Sequence, residues 1–204
     1  MRKLLNRILI ILLLLNLAYS KYPDAVGLNG MVVSSNKYAS QIGIDVLQDE
    51  GNAIDAAVAV GFALAVVHPS AGNLGGGGFM VIRLSDGTVN TIDFRETAPR
   101  KAFANMYLDD SLNIIPGLSW NTALASGVPG TVSGLSLAHR KYGKLAWYDL
   151  IKPSIKLAKH GFRLDRTNFI YLNKFFMKFQ ENNRIFVLCS PNIFLFILFF
   201  RKRV

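Results

Sequence analysis

Residues 53 to 67, AIDAAVAVGFALAVV, place one charged side chain, Asp55, in a run that is otherwise apolar. A helix on a protein surface keeps a polar face. This segment has almost none, so it reads as a helix buried between layers. His68-Pro69 ends it, because the residue before a proline is driven away from helical backbone. Upstream, NKYASQIGIDVLQDEGN reads as another helix, with Ser34 or Ser35 placed to cap it and Gly51 placed to end it. GMVVSS, from Gly30, reads as a short strand before that helix.

Beyond the apolar run comes HPSAGNLGGGGFM, with four consecutive glycines, Gly75 to Gly78. A phosphate-binding Walker loop needs Lys-Ser/Thr after its last glycine, and Phe79-Met80 stands there. A dinucleotide fingerprint begun at Gly75 needs glycine where Met80 lies, and it follows a strand rather than a helix. What remains is backbone that passes close to a ligand, a catalytic residue or a neighbouring strand. FMVIRL and VNTIDF then flank Ser85-Asp86-Gly87-Thr88 and predict a β-hairpin. The first strand is apolar in both alternating sets apart from Arg83, which predicts cover on both faces. A buried helix beside such a strand points to a layered α/β or α+β sandwich.

From Gly130, TVSGLSLAHRKYG reads as a helix ending at Gly143, and Pro153 is placed to open a further one closed by Gly161. From Arg166 the texture changes: Ala and Gly disappear in favour of Phe, Ile, Leu, Asn, Lys and Arg. The last apolar run, Ile193 to Phe200, is far below the roughly 20 residues that a membrane-spanning helix needs. At the other end, Arg2, Lys3 and Arg7 precede an apolar run from Ile8 to Leu15 and then Ala18-Tyr19-Ser20. These are the parts of a secretory signal peptide over 1–20, with an uncleaved anchor as the alternative. An exported, periplasmic or secreted protein is expected.

The net charge of +10 belongs to the ends, since residues 21–165 carry 13 Lys/Arg against 12 Asp/Glu. A near-neutral body offers no nucleic-acid footprint. The lone cysteine, Cys189, leaves no internal disulfide, and the ligands for zinc, haem or iron–sulfur sites are missing. No metal or cofactor is expected. Gly-x-Ser-x-Gly is absent, because Leu124 stands where the first glycine of a motif around Ser126 belongs. His68, His139 and His160 fall at helix ends, where they are expected to meet terminal carbonyls. The polar cluster DFRETAPR closes the hairpin. Arg95 suits bidentate recognition of a carboxylate, and an ion pair with Asp93 or Glu96 is the alternative.

Six collinear blocks then carry a resemblance: GMVVSS, GIDVLQDEGNAIDAAVAV, ALAVVHPSAGNLGGGGFM, IDFRETAP, ASGVPGTVSGLSLAHRKYG and PSIKLAKHGF. Together, residues 21–165 resemble the N-terminal part of the large subunit of the γ-glutamyltranspeptidase (glutathione hydrolase) family. The resemblance implies an α+β fold, a partial N-terminal-nucleophile hydrolase αββα sandwich that is incomplete in this chain. It implies a proenzyme that cleaves itself, so that a new N-terminal Thr of the small subunit attacks the γ-glutamyl amide of glutathione. Water or an amino acid then takes the acyl group. It assigns Arg95 to the substrate's α-carboxylate, makes Glu96 a structural neighbour, and packs Gly75–Gly78 near that site.

Residues 166–187 follow the family pattern weakly, and 188–204 form an aberrant apolar and basic tail. A shifted frame or early stop in an A/T-rich gene gives such a mixture. The expectation is a truncated γ-glutamyltranspeptidase with no catalytic residue in this chain, inactive unless a separately encoded small subunit completes it. The competing expectations are an inert remnant, a small membrane-associated protein, and, within the family, a cephalosporin acylase.

Overall fold

The structure, a computed structural model, describes residues 25–120 and 122–181 and two short strands, Phe186–Val187 and Ile197–Leu198. The expected signal segment 1–20, Cys189 and most of the 188–204 tail lie outside the described residues. The chain divides after Met31 into two units. In the first, described from residue 25, the backbone is irregular, with a bend at Leu28 and Asn29.

The second unit opens with helix α1, Lys37–Gln48, and helix α2, Ala53–Val67. A hairpin follows, of β1, Phe79–Arg83, and β2, Val89–Asp93, antiparallel with Phe79 opposite Asp93 and Arg83 opposite Val89. A long irregular segment containing one 3₁₀ turn, Ala123–Ala125, leads to α3, Thr131–Tyr142, and α4, Trp147–His160. Last come α5, Arg166–Glu181, and the pairing of β3, Phe186–Val187, with β4, Ile197–Leu198.

α2 is the axis of the core, as its sequence predicts. Val58, Ala59, Ala63 and Val67 are fully enclosed, and within the helix only Ala53 and Ala57 are exposed. Ile42 and Val46 of α1, Leu135 of α3, Leu150 of α4 and Leu172 of α5 join the same apolar cluster. A second cluster sets Ile82 and Ile92 of the hairpin against Ile54 of α2 and Ala138 of α3. Helices and hairpin therefore form two stacked layers, with α2 shared between both clusters.

A buried helix must satisfy its terminal N–H and C=O groups within the protein. At the start of α2, the Asn52 side-chain oxygen accepts the N–H groups of Ile54 and Asp55, and Asp55 Oδ2 accepts the Asn52 N–H at 3.0 Å. Asp55, with no exposed surface, also accepts the Lys144 N–H at 3.0 and 3.1 Å and the Leu145 N–H at 3.4 Å. At the other end, the Val67 carbonyl accepts Nδ2–H groups from Asn36 at 3.1 Å and Asn168 at 3.2 Å. Segments before α1, between α3 and α4 and in α5 thus clamp the two ends of one helix.

Several sequence expectations change here. Residues 30–35 form no strand, and Val33 is exposed: a β-prone run becomes a strand only with a partner, and among the described residues it has none. Asn36, rather than Ser34 or Ser35, caps α1 by accepting the Tyr38 N–H at 2.9 Å. α1 stops before Gly51, and the left-handed residue is Glu50, with φ of 64°. Gly51 serves close approach instead, since a Cβ there would stand 2.6 Å from the Val46 oxygen.

Pro153 lies inside α4 rather than opening it. It offers no N–H to the preceding turn. The helix nevertheless begins at Trp147, whose ring meets Phe62 edge-on at 5.5 Å, and Leu150 is fully buried. Packing on α2 outweighs the break. Finally, β1 is covered on one face only: Ile82 is buried, whereas Phe79 and Val81 are 65% and 74% exposed.

Candidate functional site

The chain leaves β2 as Phe94-Arg95-Glu96-Thr97, and glycines on neighbouring segments fix its path. Phe94 and Gly78 exchange backbone hydrogen bonds at 3.0 and 3.3 Å, extending the hairpin ladder beyond its assigned ends. Thr97 pairs with Val128 through bonds of 3.2 and 2.8 Å. The Gly76 carbonyl accepts the N–H groups of Gly130 and Thr131, at 2.8 and 3.0 Å. Asn73 Oδ1 holds the loop from the other side, accepting the Gly76 N–H at 2.8 Å and lying 2.9 Å from the Thr131 hydroxyl.

A side chain would not fit at several of these contacts. A Cβ on Gly77 would come within 2.5 Å of the Glu96 nitrogen and the Phe94 oxygen. One on Gly130 would overlap the Phe94 carbonyl, and one on Gly134 the Phe94 ring. The glycine-rich loop is therefore backbone laid against backbone beside Arg95 and Glu96.

Arg95 is exposed, and its guanidinium carbon lies 5.7 Å from the centroid of the Phe79 ring. Among the described residues it forms no ion pair, so neither alternative partner, Asp93 or Glu96, engages it. Asp93 is turned to the backbone instead, its Oδ1 accepting the Arg95 N–H at 3.0 Å. The planar fork of donors is thus presented outward, in the form that suits a carboxylate. Glu96 lies against Gly77 and Gly127.

Next to this segment opens a cleft of ≈ 540 Å³, with Glu96, Thr97, Phe103, Tyr107 and Ser126 among its lining. The Tyr107 hydroxyl donates to the carbonyl of Leu124, the residue before the lining Ala125, at 3.0 Å. Sequence reasoning missed this cleft, because its walls come from irregular chain without periodicity. It also missed the Phe79 ring under Arg95, which only strand register brings there. The spacing of glycines in SGVPGTVSG was the available signal for the packing around Phe94.

The histidines are structural in their surroundings. His139 Nε2 lies 2.8 Å from the Leu145 carbonyl and 4.0 Å from Asp55 Oδ1, so the carbonyl it meets belongs to the following loop rather than to its own helix. His68 caps the end of α2, with its Nδ1 3.5 Å from the Ser70 hydroxyl. His160 is exposed in the last turn of α4. Among the described residues no cluster of three His, Cys, Asp or Glu could hold a metal ion. No helix among them is long and apolar enough to cross a membrane.

Comparison with known proteins places this geometry. A family model described as gamma-glutamyltranspeptidase matches residues 39–192. The glutathione hydrolase proenzyme of Pseudomonas sp. (strain A14) is 58% identical over 138 residues, covering 68% of this chain and 24% of that protein. The glutathione hydrolase proenzyme of Escherichia coli (strain K12) is 56% identical over 133 residues, 65% of this chain and 23% of that protein. The chain thus spans about a quarter of the length of these relatives. The crystal structure of Helicobacter pylori gamma-glutamyltranspeptidase matches with a TM-score of 0.78 at 45% identity, over 86% of this chain and 52% of that one. The helical layer and hairpin are accordingly part of an N-terminal-nucleophile hydrolase fold. With the match running from α1 past α5 and taking in the glycine loop and Arg95, the chain belongs to the gamma-glutamyltranspeptidase family.

Proposed function

We propose that this chain supplies the large-subunit part of a γ-glutamyl-transferring site, with Arg95 as the group that grips the substrate's α-carboxylate. The substrates are glutathione and other γ-glutamyl compounds, as the names of the relatives suggest. The observation that carries the proposal is the Arg95 guanidinium. It is exposed, without an ion pair among the described residues, and mounted on backbone that glycine contacts hold in place.

The chemistry divides between two parts. Arg95 fixes the glutamyl group by its carboxylate, which brings the γ-carbonyl to a set position. The attacking hydroxyl is that of an N-terminal Thr on a small subunit, with its own α-amine taking the proton. The amine product leaves with that proton, and water or an amino acid releases the glutamyl group. No residue of the described chain has the catalytic role. Residues 1–20 act as an export signal, so the reaction takes place outside the cytoplasm.

The test is release of p-nitroaniline from a γ-glutamyl anilide. The purified chain alone is expected to give none, and addition of a small-subunit polypeptide beginning with Thr is expected to restore it. Arg95→Gln then lowers kcat/KM by at least about thirtyfold, and Arg95→Lys, a point charge without the fork, by less. Release by the chain alone would overturn the division of labour. Indifference to Arg95→Gln in the restored mixture would overturn the carboxylate assignment, and no release in the mixture would leave a non-enzymatic protein.

A further inference from the structure

We propose that Phe79 is the seat of Arg95: its ring holds the guanidinium by one face, so that the edge carrying the N–H donors meets an incoming α-carboxylate. The ligand class rests on the function proposed above, whereas the seat itself rests on geometry alone. In the hairpin register Phe79 stands opposite Asp93, and Arg95 follows two residues later, on the same face of an extended chain. The guanidinium carbon stands 5.7 Å from the ring centroid, within the roughly 6 Å at which a cation is attracted to an aromatic face.

Two features make this more than a chance approach. Phe79 is 65% exposed at the start of a strand whose inward residue, Ile82, is buried, so hydrophobic burial does not account for its orientation. Asp93, the acid on the same face, is engaged by the Arg95 N–H and does not draw the guanidinium away from the ring. A planar guanidinium stacked by its face keeps its donors in the plane, where a carboxylate can take two of them. Stacking also restricts a long side chain before binding, which reduces the ordering cost at the moment of recognition. Phe79 is therefore a positioning residue that acts through Arg95.

The experiment uses the full chain, alone and with its small-subunit complement. By NMR, the Arg95 side-chain Hδ protons should be displaced upfield by the ring current. The displacement should vanish in Phe79→Leu and persist in Phe79→Tyr. Binding of L-glutamate, which carries the same α-carboxylate, should weaken about three- to tenfold in Phe79→Leu and stay within about twofold in Phe79→Tyr. In the restored enzyme the loss should appear in KM with kcat unchanged, as expected for binding shared by ground and transition states.

Undisplaced Arg95 protons in the wild type, or Phe79→Leu binding L-glutamate as the wild type does, would overturn the seat. Displaced protons together with no L-glutamate binding, or binding untouched by Arg95→Gln, would uphold the seat and overturn the carboxylate assignment instead.

Discussion

Helix α2 and strand β1 are both apolar runs, and the fold treats them in opposite ways. α2 is enclosed by four other helices, and distant parts of the chain close its ends: the Asn36 and Asn168 amides bond the Val67 carbonyl, and the Lys144 backbone N–H bonds Asp55. β1 buries Ile82 against α2 and α3 and leaves Phe79 and Val81 exposed. Hydrophobicity states what a segment tolerates losing to the interior. Whether it is lost depends on what else the chain brings to that place. The buried residues of α2 are met by other helices of this chain, whereas the outer face of the hairpin carries Arg95 and the Phe79 ring.

The largest expected effect is at the clamp of α2. Asp55→Ala removes the acceptor for the N–H groups of Asn52, Lys144 and Leu145 in a place with no exposed surface. Leaving several buried donors unmade costs about 3–5 kcal/mol. Asp55→Asn keeps one acceptor oxygen and should cost less. Urea unfolding followed by circular dichroism measures both. A loss below about 1 kcal/mol for Asp55→Ala would mean that the closure of the helix start does little for the core.

The hairpin gives a smaller and sharper contrast, because neighbouring residues face opposite ways. Ile82→Ala removes a side chain that is 4% exposed and lies between α2 and α3, at a cost of about 2–4 kcal/mol. Val81→Ala, one residue away and 74% exposed, should change stability by no more than about 0.5 kcal/mol. Equal losses at the two positions would show that the outer face is covered in solution, and the contrast between the two regions would fail. Because Val81 shares its face with Phe79, the same pair of variants reports on the surroundings of Arg95.

What was legible in the sequence divides along the same line. The burial of α2, its end at His68, the hairpin with its turn at Gly87, and the helix closed by Gly143 all follow from signals within a few residues. What was not legible depended on distant partners. Asp55 stood out as the one charge in an apolar helix, yet the donors that explain it lie 89 and 90 residues away. Asn36 and Asn168 meet at the Val67 carbonyl from opposite ends of the domain. The expected strand at 30–35 failed because a ladder needs a second strand, which local composition does not supply. Arg95 stood out by residue type and resemblance, but the Phe79 ring beside it is set by strand register.

The smallest expected effect is in the exposed turns, where the hydrogen bonds are local. Asp86 in the hairpin turn accepts the Thr88 N–H at 2.8 Å, and the Thr88 side chain adds to this in lowering its pKa. Asp109 accepts the Asn113 N–H at 2.8 Å and is bonded by the Asn113 amide, with the Ser111 N–H a smaller contribution, and its pKa is also lowered. Each is depressed below the ordinary carboxylate value of 3.8, so the folded state favours the ionised form. The unfolded chain then binds more protons, and stability rises with pH across that window. The contribution is fully present above the unfolded pKa and is lost as pH falls below it and through the folded values. Both groups are fully exposed, so solvent screens the effect. A carbon-detected NMR titration should give midpoints below 3.8 for both. Thr88→Val should raise that of Asp86 part of the way and leave Asp109 unmoved. Since all the donors lie within four residues, Asp55→Asn should move neither midpoint. If it shifted Asp86, the hairpin turn would depend on the clamp of α2, and the two regions would be one cooperative structure.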